Sequence, residues 1–195
     1  MRTIRIEASA CLWWAVLVLI LPFRWLLGAF FAALIHESFH FIAIRATGGM
    51  VSYMELRPGG AAIECTAMTP LRGLICALSG PLGSLFLLLF SKYLPVTALC
   101  ALVQGIFNLL PIFPLDGGRA LHYILLLRYS TRKAESLCRL VSRCCILILI
   151  AACTFFAWLF NPVFLVFLPA ILLLRQSSGK NTLQNQPFGI TIDLP

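Results

Sequence analysis

The chain has 195 residues, 61% of them hydrophobic and only 11% charged, and its mean hydropathy is +0.95. A water-soluble domain of this size needs far more polar surface, so the composition excludes an ordinary soluble enzyme and makes the lipid bilayer the natural solvent. The formal charge of +8 comes from 15 Lys and Arg against 7 Asp and Glu; it is scattered between apolar runs without the aromatic interleaving of a nucleic-acid binder, so anionic headgroups are the partner it implies and no nucleic acid is expected.

An apolar run of about 18 or more residues reads as a spanning helix, and prolines and charges divide this chain into about six. The first predicted span covers about 8–23 and stops at Pro22 and Arg24; the second covers about 25–44. A less apolar segment, 45–69, follows. The third span is placed at about 71–93 and the fourth at about 96–110, where a Pro-rich break leads into a short helix at 117–128. The fifth is expected at about 140–160 and a short sixth at 163–174, with a polar tail at 176–195. The fold class is therefore an all-α membrane protein, a polytopic bundle forming one core over residues 1–175.

The N-terminal run resembles a signal peptide, but cleavage at its small residues would sever the second span just before His36, so it is read as a retained helix. With the N-terminus cytoplasmic, 13 of the 15 basic residues fall at the cytoplasmic side, leaving only Arg24 and Lys92 opposite. The eight cysteines contain no C-x-x-C pair and sit mostly in apolar runs, as reduced packing residues do.

Of the seven acidic residues, Glu37 lies inside a span and Asp116 at a span break. A carboxylate within the bilayer costs several kcal/mol unless paired, which marks it as a functional candidate. Glu37 sits in H-E-S-F-H, residues 36–40. On a helix His36 and His40 share a face, so both imidazoles reach one metal ion while Glu37 is placed to take a proton from water beside it. Two histidines in an apolar helix can instead hydrogen-bond neighbouring helices, but that reading is hard to maintain with a carboxylate between them. A catalytic zinc takes three protein ligands and keeps one position open. The third ligand is Asp116 or His122; Asp116 is favoured because it follows Pro111 and Pro114, which break the helix, and precedes Gly117-Gly118, which allow close backbone approach.

H-E-S-F-H at 36–40 and N-L-L-P-I-F-P-L-D-G-G-R at 108–119, in this order on separate spans, resemble the site-2 protease family of intramembrane zinc metalloproteases (peptidase family M50). The likeness is nearest to the stage IV sporulation protein FB branch. M-E-L-R-P-G-G-A-A-I-E at 54–64 is similar to that family's membrane-associated β-hairpin, which here would occupy 47–66, and A-L-S-G-P-L-G-S at 77–84 to its Gly-Pro helix. The resemblance covers roughly residues 30–130. It implies one Zn2+ per chain bound by His36, His40 and Asp116, with Glu37 as catalytic base. Substrate would be handled by Asn108, Pro111, Pro114, Gly59 and Gly60. The turn Pro58-Gly59-Gly60 is one residue shorter than the L-P-F-G-G form of the sporulation branch, and nucleotide sensing through a CBS domain is not expected.

The resemblance further implies hydrolysis of a peptide bond in or near a transmembrane segment of a membrane-anchored substrate. That substrate would be a sporulation transcription-factor precursor, with an inhibitory membrane partner by analogy. The location would be the bacterial cytoplasmic membrane, or the forespore outer membrane for a sporulation enzyme. The competing expectations are a non-catalytic membrane metal-binding or helix-binding protein, neither of which uses Glu37. A membrane protease of the farnesylated-protein type would need a Glu on a later span, and the sequence has none.

Overall fold

The computed structural model describes residues 4–6, 18–19, 21–49, 51–57, 60–65 and 69–160. Most of the expected span at 8–23, the one at 163–174 and the tail at 176–195 lie outside them.

Helix α1, Phe23–Ala46, begins after Pro22 and carries the H-E-S-F-H run near its C-terminal end. Its 24 residues rise about 36 Å, enough to cross a hydrocarbon core of about 30 Å. It stops at a Schellman-type terminus: Gly48 adopts φ 80°, Gly49 N–H donates to the Ile44 carbonyl and Gly48 N–H to that of Arg45. A side chain at Gly48 would strain that left-handed turn. The chain then enters strands β2, Val51–Arg57, and β3, Gly60–Cys65, which pair antiparallel with Arg57 opposite Gly60. The turn residues Pro58 and Gly59 lie outside the described residues. A short N-terminal strand β1, Ile4–Ile6, pairs parallel with β2 and gives the sheet order β1-β2-β3. Nothing in the apolar pattern anticipates β1, because Ile4-Arg5-Ile6, between Thr3 and Glu7, is too short to establish alternation.

Helix α2, Pro70–Phe86, starts with proline at its first position, where no N–H is needed. It runs through Pro81 and continues as a 3-10 turn, Leu87–Phe90. Helix α3, Pro95–Asn108, is also proline-initiated. A turn at 109–115 with a cis Phe113–Pro114 peptide leads into α4, Asp116–Leu126. The long α5, Thr131–Phe160, closes the described bundle. It begins nine residues before the expected boundary at 140. Its first turns are polar, supported by an Arg139–Glu135 pair one turn apart, so an apolar run could not reveal them.

Three described helices, Phe23–Ala46, Pro70–Phe90 and Thr131–Phe155, are long and apolar enough to cross a membrane, and Pro95–Asn108 is a shorter apolar one. Their outward faces carry Leu89, Val103, Ile148 and Trp158, all largely exposed, as suits an integral membrane protein. The central helix is α2: half of its apolar window is buried, against 22% for α1 and 17% for α5. It packs against α1, α3 and α4.

Lipid tails are as apolar as leucine, so hydrophobic sorting does little to drive helices together, and small residues that allow close approach carry the packing. Ala32, Leu87 and Ala101 form one buried cluster, and Ala77, Ala120 and Tyr123 another. The Tyr123 ring fills the space that a side chain at Gly73 would need.

On α5 the buried residues Ala134, Cys138, Ser142 and Ile146 recur every four positions and face α4 and the turn before it. Ser142 lies 3.1 Å from Phe113 N, whose N–H donates to its hydroxyl, and donates in turn to the Pro111 carbonyl at 3.3 Å. One buried hydroxyl thus holds two backbone groups of the broken segment. Ser142→Ala is expected to lower stability by about 1–2 kcal/mol, read as a lower thermal midpoint in detergent. An unchanged midpoint would show that the turn holds itself.

Candidate metal centre

Three ligand-type side chains converge where α1, α2 and the start of α4 meet. His36, His40 and Asp116 each offer one ligand atom, all within 4.8 Å of one another, and among the described residues they form a candidate metal site. His36 Nε2 lies 2.9 Å from Asp116 Oδ2 and His40 Nε2 lies 3.2 Å from the same oxygen. His36 and Asp116 are buried, at 1% and 7% exposure, so the atoms that converge are shielded from both lipid and bulk water.

Each histidine is turned by a bond on its other nitrogen. His40 Nδ1–H donates to the Cys76 carbonyl at 2.8 Å, with Ser79 Oγ at 3.3 Å. His36 Nδ1 lies 2.8 Å from Ser84 Oγ. Cys76, Gly80 and Ser84 fall on one stripe of α2, four residues apart, and match the four-residue spacing of the histidines on antiparallel α1. Gly80, in the middle of the stripe, leaves the space in front of both Nε2 atoms: a Cβ there would run into His40 Nε2 and come within 2.6 Å of His36 Nε2.

Asp116 stands in the first turn of α4, where the positive end of the helix dipole favours a carboxylate. Its position depends on how closely the preceding turn folds back. A side chain at Gly117 would meet the Leu109 and Leu110 carbonyls, and one at Gly118 would come within 2.6 Å of Ile112 and Phe113 backbone atoms. The double glycine lets that backbone lie against the first turn of α4.

Of the other candidates, Asn108 ends α3 with Nδ2 3.3 Å from His36 Nε2. Glu37 is half-buried on α1 between the two histidines. Pro111 and Pro114 lie in the turn before α4, while Gly60 opens β3 and Gly59 is outside the described residues. His122 is buried beside Tyr123 two turns along α4 and is not part of the cluster. Ser84, Gly80 and the Cys76 carbonyl were not singled out from sequence; the matching spacings of 76/80/84 and 36/40 are the signal that would have found them.

The family model for peptidase family M50 matches residues 61–151. A zinc metalloprotease of Methanocaldococcus jannaschii is 27% identical over 153 residues, covering 71% of this chain and 43% of the relative. The solved site-2 protease from the same organism superposes with a TM-score of 0.65 at 23% identity, covering 87% of this chain and 86% of that one. The chain resembles peptidase family M50.

It spans less than half the length of the curated relative, but most of the solved chain, whose fold it shares. The matched segment takes in Asn108 and Asp116, and the histidine pair lies on the N-terminal side of it. The donor set of this chain fits zinc: two imidazoles and a carboxylate leave one coordination position open. Both Nδ1 atoms are engaged outside the cluster, and the Gly80 cradle holds a volume that a single methyl would fill. Gly80→Ala is expected to weaken zinc binding at least about 10-fold with helix content preserved, measured by competition with a chromophoric chelator and by circular dichroism. Wild-type affinity in this variant would mean that the metal does not sit in front of Gly80.

Proposed function

We propose that this protein is an intramembrane zinc metalloprotease that hydrolyses a peptide bond in or near a transmembrane segment of a membrane-anchored substrate. The observation that carries the proposal is the convergence of His36, His40 and Asp116 from separate helices of an apolar bundle, with Glu37 between the two histidines. A metal carrier or a helix-binding scaffold needs no carboxylate there.

When bound, zinc polarises the scissile carbonyl and makes water a better nucleophile at neutral pH. The residues of the chain do the rest. His36, His40 and Asp116 would hold the ion, and Ser84 and the Cys76 carbonyl fix the rings. The Glu37 carboxylate accepts a proton from the attacking water and passes it to the departing amine nitrogen. The Asn108 side-chain amide, already beside His36 Nε2, is a hydrogen-bond donor able to face the substrate carbonyl oxygen as charge builds there. Pro111 and Pro114 shape the turn on which the substrate would rest.

A helical substrate must unwind before it is cut, and its freed backbone groups then need partners. In the sheet, β2 is flanked by β1 and β3, so within the hairpin β3 has the edge to which an unwound substrate could add as a strand. Gly59 and Gly60 would set the turn of this clamp. The charge asymmetry supports a cytoplasmic N-terminus, and the succession of apolar runs supports one core over 1–175. The motif likeness to the sporulation branch supports a transcription-factor precursor as substrate and an inhibitory membrane partner.

The decisive test is the full chain reconstituted with a single-span substrate. Glu37→Gln is expected to lose at least about 10²-fold in cleavage rate while still binding zinc; full activity in that variant would remove Glu37 from the mechanism. A proline scan along 60–65 is expected to slow cleavage of a helical substrate wherever the replaced N–H faces outward. Turnover that is the same at every position would dispose of the strand clamp.

A further inference from the structure

The two histidines are held in different ways. His40 Nδ1 faces the Cys76 carbonyl at 2.8 Å. A carbonyl only accepts, so Nδ1 carries a proton, and in the neutral ring that a metal requires Nε2 keeps its lone pair. His36 Nδ1 faces the Ser84 hydroxyl at 2.8 Å, and a hydroxyl can give or take a proton in a hydrogen bond. If Ser84 donates, the His36 proton moves to Nε2, which then points an N–H at Asp116 and cannot ligate. If Ser84 accepts, Nε2 is free. The ligating form of His40 is thus written into the backbone, whereas that of His36 hangs on one side chain.

Ser84 is fully buried, at 0% exposure. Gly105 of α3 comes so close that a Cβ there would lie 2.9 Å from Ser84 Cβ. The hydroxyl is therefore wedged between α1 and α3 with no room to turn to solvent, and an unpaired polar group at such a depth is costly.

We propose that Ser84 is a positioning residue of the metal centre: its hydroxyl accepts the Nδ1–H of His36 and so aims a lone pair on Nε2 at the point shared by His40 Nε2 and Asp116 Oδ2. The proposal rests on the metal-site reading and is independent of whether the protein cleaves peptides. Removing the acceptor releases His36 to either tautomer and leaves its Nδ1–H buried without that bond.

The test uses the full chain purified in detergent, stripped of metal with a chelator, and titrated with Zn2+ against a chromophoric competitor. Co2+ absorption is recorded alongside as a reporter of ligand geometry. Ser84→Ala and the near-isosteric Ser84→Cys are expected to lose about 10- to 100-fold in zinc affinity and to alter the Co2+ spectrum. Ser84→Thr, which keeps the hydroxyl, is expected to stay within a factor of about 3 with an unaltered spectrum. Wild-type affinity in Ser84→Ala would overturn the proposal. So would equal losses in Ser84→Cys and Ser84→Thr, which would assign the position to packing alone; that pair decides the matter even if the alanine variant fails to fold. A wild-type chain that binds no zinc, with His36→Ala indistinguishable from it, would instead sink the metal reading and this inference with it.

Discussion

Inside a bilayer a polar group has no water to fall back on, so each one must find a partner within the protein. The antiparallel pairing of α1 and α2 answers that requirement for the two groups that matter most. Where α1 offers an imidazole, α2 offers an oxygen: Ser84 Oγ for His36 and the Cys76 carbonyl for His40. The same bonds that satisfy Nδ1 leave Nε2 directed at Asp116, so neutralising the burial cost and presenting the ligands are one act. The register between the helices cannot slip by a turn without undoing both.

The carboxylate of the candidate metal site is held by a separate arrangement. Asp116 sits on a helix only 11 residues long, preceded by a segment with little regular hydrogen bonding of its own. That segment is fastened from behind by α5, through Ser142 to Phe113 and Pro111 and through the contact of Ile146 with Ile112. Irregular backbone at membrane depth survives only where protein surrounds it, and α5 supplies the cover.

Much of the site was legible in the sequence because it rests on a helical period and on rare residue types. A charge flanked by two histidines in an apolar run admits few readings. Asp116 was chosen over His122 from the prolines before it and the glycines after it, and the cluster includes the first and omits the second. Helices α1, α3 and α4 start and stop within two residues of where apolar runs and prolines put them, whereas α2 ends at Phe86 and gives way to a 3-10 turn, short of the expected 93. What escaped was what composition does not encode. The start of α5 is polar, and β1 is too short to show a pattern. Ser84 and Gly80 look like ordinary small packing residues until α2 is laid antiparallel to α1, because their importance comes from a neighbour 40 or more positions away.

The convergence of His36 and Asp116 joins points 80 residues apart in the chain. An ion bound between them would act as a cross-link, much as a disulfide does in a secreted domain. Its effect would differ in one respect. Transmembrane helices keep their structure in lipid before they associate, so this staple would restrain helix association and not the collapse of a coil. It would bind the α1–α2 pair to the α4–α5 pair across a contact in which Ala77, Ala120 and the Tyr123 ring set over Gly73 pack together. Tertiary cohesion in this bundle would then depend partly on the metal supply of the cell, and the reactive group would double as a rivet.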